Sequence, residues 1–365
     1  MTEHNNEEIL VYIGTYTQGE SEGIYVYRME KSSGALEFAS VAKGVENPSF
    51  LDIHPQHRYL YAVNEVGEFA GESSGAVSAF SIDENTGELT FLNQQPSGGA
   101  APCHLSIDQT GQFVLVANYG GGSVASLPIQ DDGKLGEATD FIQHQGSSVN
   151  PRRQKEPHAH SITIDLANRY AFAPDLGLDK ILIYKLDLTQ GKLVPNDEPW
   201  AQVKAGAGPR HFDFHPSRRY AYVINELDST LIAFTYDETH GTLEEIETVS
   251  TLPEDFSGTS HCADLHVHPS GKFVYGSNRG HDSIVIFAID EGTGKLTYVG
   301  HESTQGKTPR NFGIDPTGTF LLAANQSTDN IITFRIDQQT GKLTSTGHVA
   351  EVPAPVCLKM RPISS

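Results

Sequence analysis

GPRHFDFHPSRRYAYVINE, residues 208–226, decides the fold. Apolar residues alternate through Phe212 and Phe214, break at the polar turn HPSRR, and alternate again through Tyr220, Tyr222 and Ile224. Period-2 alternation on both sides of a short polar turn reads as two antiparallel strands joined tightly. The same design recurs as PSFLDIHPQHRYLYAVNE, APCHLSIDQTGQFVLVANY, CADLHVHPSGKFVYGSNR and TPRNFGIDPTGTFLLAANQ, with a looser copy in PHAHSITIDLANRYAFAPDL. A seventh first strand, APVCLKMRP, stands alone at the C-terminus, and the N-terminal LVYIGTY reads as its missing second strand.

A second token falls between these pairs: KSSGAL, ENTGEL, DDGKL, LTQGKL, ETHGTL, EGTGKL and QQTGKL. Their glycines (34, 87, 133, 191, 241, 294 and 341) recur roughly every 50 residues, each after an alternating apolar segment such as AVSAFSID or SIVIFAID. Glycine supplies the positive φ of a hairpin connection. Each unit is therefore four antiparallel strands, an inner a followed by b, c and d. Seven such units make an all-β, seven-bladed β-propeller whose ring closes by pairing the N- and C-terminal segments in one blade. The whole chain, 1–365, reads as a single propeller domain, with blades over about 9–362 and a polar tail at 1–8.

The net charge of −21, from 25 basic against 46 acidic residues, argues against nucleic acid or an anionic membrane as partner. A local basic cluster still overrides the global field at short range and admits a small anion. The start, MTEHNNEEILVYIGTY, lacks the basic and apolar regions of a signal peptide, and no run of apolar residues is long enough to span a membrane. Cys103, Cys262 and Cys357 are odd in number and widely spaced, which points to a cytoplasmic protein with reduced thiols. Oligomeric state is left open by a closed ring.

In a propeller the start of strand a lies beside the end of strand b, so these positions from all blades converge on one mouth of the central channel. Strand-a starts offer Phe50, His104, His158, His160, Arg210, His211, Asp264, Arg310 and Asn311; strand-b ends offer Glu65, Tyr119, Asp175, Asn225, Glu226 and Arg279. The Asn that recurs at strand-b ends suits turn backbone and has a structural role as an alternative. The variation after it is what a site demands and a scaffold does not. Three arginines and several histidines beside Glu65, Glu226 and Asp264 describe a cationic pocket able to hold an anion and move protons. Pairing of each charge with its neighbour around the rim is the bland alternative.

Other chemistries find little support. His158 and His160 in PHAH share a strand face, but no ligand set has recognisable metal spacing, so neither metal nor cofactor is expected. His54, His215 and His268 sit in the a–b turns at the far end of the blades and read as turn chemistry. Gly120, Gly121 and Gly122 lack the Lys and helix of a phosphate loop. No GxSxG elbow occurs, and no Cys is spaced to a site His, so a covalent nucleophile is not expected.

Taken in order, IGTYT, PHAH (157–160), GPRH (208–211), NE (225–226), SNRG (277–280) and the repeated TGKL resemble the seven-bladed propeller lactonases, the bacterial 6-phosphogluconolactonase type, over essentially the whole chain. These are related to the carboxymuconate lactonising enzymes. The resemblance implies a hydrolase acting on 6-phosphogluconolactone, in the pentose phosphate pathway, without metal. It places the catalytic groups on His160 (or His158), Arg210, Glu226 and Arg279; from their positions at the same mouth, His104, His158, His211, Asn225 and Arg310 are the expected substrate contacts. A different sugar lactone, a cycloisomerase reaction, and a non-enzymatic interaction platform are the competing readings. A single Trp and the lack of GH and WD tokens speak against the platform.

Overall fold

The structure, a computed structural model, describes residues 8–363 and contains strands but no helix among them. Blade 1 holds β4 (Leu51–Ile53), β5 (Tyr59–Asn64), β6 (Ala76–Ile82) and β7 (Leu89–Pro96); blade 2 holds β8 (Pro102–Ile107), β9 (Phe113–Asn118), β10 (Ser123–Pro128) and β11 (Asp140–Gln143). Blade 3 holds β12 (Thr163–Ile164), β13 (Tyr170–Asp175), β14 (Lys180–Asp187) and β15 (Lys192–Gln202). Blade 4 holds β16 (Pro209–Phe214), β17 (Tyr220–Asn225), β18 (Thr230–Asp237) and β19 (Thr242–Ser250). Blade 5 holds β20 (His261–Val267), β21 (Phe273–Arg279), β22 (Ser283–Ile289) and β23 (Leu296–Ser303). Blade 6 holds β24 (Pro309–Ile314), β25 (Phe320–Asn325), β26 (Asn330–Ile336) and β27 (Leu343–Glu351).

Blade 7 is the split one. β28 (Pro355–Pro362) pairs with β1 (Glu8–Thr15), which continues to β2 (Gly23–Glu30) and β3 (Leu36–Lys43). The innermost strands touch in succession, and β28 contacts both β24 and β4, so the ring closes. This is the seven-bladed, all-antiparallel ring the repeats predict. Glu8 already belongs to β1; the rest of the predicted polar tail lies outside the described residues.

The hairpin glycines join each blade to the next. All seven adopt φ between +64° and +82°, the left-handed region glycine enters without strain. Gly241 lies against the Tyr170 ring so closely that a Cβ would sit 2.5 Å from Cδ1. Tyrosines on second strands tie the same hairpins: Tyr222 donates its hydroxyl to the Gly294 carbonyl at 3.1 Å, and Tyr61 to Gly133 at 2.9 Å. At the far end of the channel, His215 donates Nε2–H to the Gly271 carbonyl and His268 to that of Gly318, both at 2.8 Å. The turn histidines are thus links between blades. Between blades 3 and 4, Phe172, Phe212, Phe214 and Tyr236 interlock, with Phe172 and Phe212 stacked at 5.3 Å.

One irregularity recurs where it matters. The first strands of blades 2, 4 and 6 each carry a bulge at their second residue, leaving Cys103, Arg210 and Arg310 outside the pairing register. A bulge inserts an extra residue and re-aims its side chain. In blade 3 the inner strand shrinks to two paired residues, with a lone bridge between Ala159 and Asp175 holding the PHAH segment in place.

Candidate active site

Antiparallel pairing sets Pro209 opposite Asn225, and the Glu226 amide donates to the Gly208 carbonyl at 2.7 Å. Arg210 and Glu226, sixteen residues apart in sequence, therefore meet at the channel mouth. Glu226 is the hub. Its Oε2 accepts from Arg210 Nε at 3.0 Å and lies 3.0 Å from Arg279 NH2, while its Oε1 accepts from Arg153 NH2 at 2.6 Å. Burial by itself pushes the Glu226 carboxyl up, but Arg279, Arg210 and Arg153 together outweigh it and hold the group well below the usual carboxylate range. The carboxylate is ionised and both of its oxygens already face guanidiniums.

His160 stands beside it, buried, with Nε2 3.9 Å from Glu226 Oε2. Burial, then Arg210, His211 and Arg310, hold its pKa well below the ordinary histidine value, so the ring is neutral. A neutral imidazole is free to accept a proton. Cys103 packs against it, Sγ 3.6 Å from Nδ1 and 3.3 Å from the His160 carbonyl. No spacing in the chain joins these two residues; the bulge at Cys103 brings them together. Burial and then Glu65 push the thiol far up, so it stays protonated and is no nucleophile near neutral pH.

Around this pair opens a cavity of about 360 Å³ lined by Tyr16, Glu65, Cys103, Tyr119, Arg153, His160, Glu226, His261, Arg279 and Arg310. Arg310 stacks over the Tyr16 ring, and Tyr16 donates to Glu65 Oε2 at 2.9 Å, a carboxylate that Ser49 also donates to. Arg279 gives NH2 to the Cys262 carbonyl at 2.8 Å, while its buried Nε has no protein partner. Arg210 lies beneath the lining, 1% exposed, its NH1 on the Ala263 carbonyl. Desolvation and the neighbouring Arg279 lower even its guanidinium to about 10. Counting formal charges on arginine and glutamate alone, four guanidiniums against two carboxylates leave two positive charges in excess.

The residues expected at one mouth divide into several groups. His160, Glu226, Arg279 and Arg310 line the cavity, with Arg210 under it. His104 and His211 face a second cavity of about 300 Å³ deeper in the channel, shared with Phe50, Asp264, His266 and Lys359. There His211 donates Nδ1–H to Asp264 at 2.7 Å, and His266 Nε2 lies 3.0 Å from the other Asp264 oxygen. His158 turns away, stacking on Tyr119 at 4.5 Å and pairing Nδ1 with the Tyr119 carbonyl. Asn225 donates to Thr230 Oγ1 within its own blade and does not line the cavity. No group of three or more His, Cys, Asp or Glu side chains among the described residues has an arrangement that would hold a metal.

Sequence reasoning missed Arg153, His261 and Tyr16. Arg153 comes from the connection between β11 and β12, outside any repeat, and its only signal was the basic PRRQK in an acidic chain. His261 begins β20 two residues before Ala263, ahead of the token aligned with other blades.

Comparison with known proteins agrees with this architecture. The family model described as "Lactonase, 7-bladed beta-propeller" matches residues 10–360. A Bacillus subtilis protein named 6-phosphogluconolactonase is 41% identical over 304 residues, covering 83% of this chain and 84% of its own. A solved structure from Bacteroides fragilis superposes with a TM-score of 0.92 at 38% identity, covering 99% of this chain and all of that one. The Pseudomonas aeruginosa periplasmic gluconolactonase PpgL also superposes at 0.92, with 34% identity over 98% of this chain and 100% of its own.

Proposed function

The chain belongs to the seven-bladed β-propeller lactonases, and on that footing we propose that it is a carboxylic-ester hydrolase opening 6-phospho-D-glucono-1,5-lactone to 6-phosphogluconate at the channel mouth. The observation that carries the substrate choice is electrostatic. A protein of net charge −21 keeps two positive charges in excess in one small cavity, a match for a phosphoryl dianion.

The proposed reaction runs through the side chains of the cavity. Neutral His160 takes a proton from a water whose oxygen attacks the lactone carbonyl carbon. Arg279 and Arg310, which line the cavity, stabilise the oxyanion that forms. The carbon–oxygen bond to the ring oxygen then breaks, and the imidazolium returns its proton to the departing alkoxide. Glu226, held ionised, is no proton carrier; its charge 3.9 Å away stabilises the imidazolium. Arg210, out of reach of a ligand, acts as a positioning residue through Glu226.

A second reading has one observation in its favour: the similar Pseudomonas aeruginosa structure is named a gluconolactonase, with no phosphate in the name. A panel of phosphorylated and unphosphorylated lactones, corrected for spontaneous hydrolysis, separates the two. The phospho-lactone reading requires kcat/KM to favour the phosphorylated lactone; equal or reversed preference sinks it. We read the compartment as cytoplasmic, supported by three free, buried thiols. The periplasmic label of that same neighbour is the contrary indication, which cell fractionation resolves.

A further inference from the structure

Three arginines meet on one carboxylate, and they are not equivalent. Arg210 and Arg279 project from β16 and β21, share Glu226 Oε2, and have side chains 2% and 17% exposed. Arg153 comes from a non-repeat connection, holds the other oxygen, Oε1, and is 36% exposed. Two guanidiniums less exposed than Arg153 already neutralise Glu226, so the third is not required to keep that charge in place.

The segment under Arg153 is nonetheless built with care. Asn150 Oδ1 accepts from the amides of Arg152 and Arg153 at 3.0 and 3.1 Å, capping the turn. Gln154, fully buried, returns its amide to the Asn150 carbonyl at 2.9 Å and donates Nε2 to the Leu176 carbonyl at 2.8 Å. Ser148 anchors the segment to Asp179 at 2.5 Å. The backbone is fixed and only the side chain reaches out, resting NH2 on the Tyr119 hydroxyl at 3.1 Å over the cavity. That is the anatomy of a pedestal for one guanidinium, not of a solvated surface loop.

We infer that Arg153 reads the phosphoryl group of the substrate, exchanging its Glu226 contact for the incoming dianion. The inference rests on the phospho-lactone reading above. A partly exposed ion pair is weak and screened, whereas a guanidinium facing a phosphoryl group makes two charge-assisted bonds. Because Glu226 keeps Arg210 and Arg279, releasing Arg153 leaves no buried charge unpaired. Arg153 is then the specificity determinant, and His160 with Arg279 and Arg310 the chemistry common to both lactones.

The test compares full-length wild type, Arg153→Met and Arg153→Lys on 6-phosphogluconolactone and on glucono-1,5-lactone, with circular dichroism as the folding control. For Arg153→Met we expect kcat/KM on the phosphorylated lactone to fall by about 30-fold, mostly through KM, as for loss of a charge-assisted contact. The fall on the unphosphorylated lactone should be several-fold smaller, and Arg153→Lys should lie between. Equal losses on both lactones, or no loss, overturn the inference while wild-type preference for the phosphorylated lactone leaves the parent reading standing. Absence of that preference in wild type is instead a failure of the parent reading.

Discussion

His160 Nε2 and Glu226 Oε2 approach to 3.9 Å without a hydrogen bond, and both pKa values are shifted down, the imidazole's against the direction a neighbouring carboxylate alone would give. The carboxylate is locked ionised by three guanidiniums, and the imidazole is kept neutral by burial and the same positive surroundings. A base whose free-enzyme pKa lies well below 6.5 is present in active form from neutral pH far into the acid range. The kcat/KM profile, which reports the free enzyme, should therefore stay flat through pH 6.5 and turn down only well below it. An acidic limb centred at or above 6.5 would remove His160 from the role. His160→Asn should lower kcat by about 10²- to 10⁴-fold.

The same burial makes the fold acid-sensitive. His104, His160 and His211 all have pKa values depressed by desolvation first, His211 to about 4. The unfolded chain binds these protons as pH falls through 6.5 while the native state refuses them. Stability is thus fully present above that value and declines down to the folded pKa, by up to about 1.4 kcal/mol per pH unit for each group. His266 opposes the trend, since Asp264 overcomes burial and raises its pKa, giving stability that is present below 6.5 and lost as pH rises. That contribution changes only above 6.5, so the acid window belongs to the other three. Denaturant midpoints should fall steadily between pH 6.5 and about 4; a midpoint unchanged across that window would contradict the neutral assignments.

Removing Glu226's charge should damage structure as well as rate. Glu226→Gln leaves Arg210 buried without its ion-pair partner and with Arg279 close by. Breaking a buried ion pair from one side costs about 3–5 kcal/mol. Thermal unfolding should show a loss of that order alongside lost turnover. Loss of turnover at full stability would mean that Glu226 works in the chemistry itself, as the proton carrier excluded above.

Cys103 gives a sharper exclusion. Its sulfur touches His160, a pairing that in other settings makes a thiolate nucleophile, yet burial drives the thiol strongly towards its protonated form. Turnover should survive iodoacetamide, and Cys103→Ser should retain activity within a few-fold. A burst phase or a trapped acyl thioester would reinstate covalent catalysis.

What the sequence revealed, and what it hid, follows from the range of each signal. Blade number, hairpins and the split blade are written in local patterns: alternation every second residue, and a positive-φ glycine in each blade's hairpin, as at Gly241 and Gly294. The meeting of Arg210 with Glu226 follows from antiparallel register alone. Side-chain direction at the mouth does not, because the bulges at Cys103, Arg210 and Arg310 shift the alternation by one residue. Hence His211, next to Arg210 in sequence, faces the deeper cavity with Asp264 rather than the mouth. Arg153 lay beyond reach for another reason, since a segment without repeat counterparts carries no register to place it.

The hairpin glycine Gly241 and Gly44, in the connection just after β3, allow strain and packing to be separated. Gly241 (φ +67°) and Gly44 (φ +79°) share the left-handed conformation, which costs an alanine about 1 kcal/mol. A Cβ on Gly44 meets nothing within 4 Å, whereas on Gly241 it would press to 2.5 Å from the Tyr170 ring at the blade 3–4 junction. Overpacking adds about 1–3 kcal/mol. Gly241→Ala should therefore lower the unfolding midpoint clearly more than Gly44→Ala. Equal losses would show that conformation alone selects glycine at the hairpins, and that close packing of each hairpin on the preceding blade contributes nothing to closing the ring.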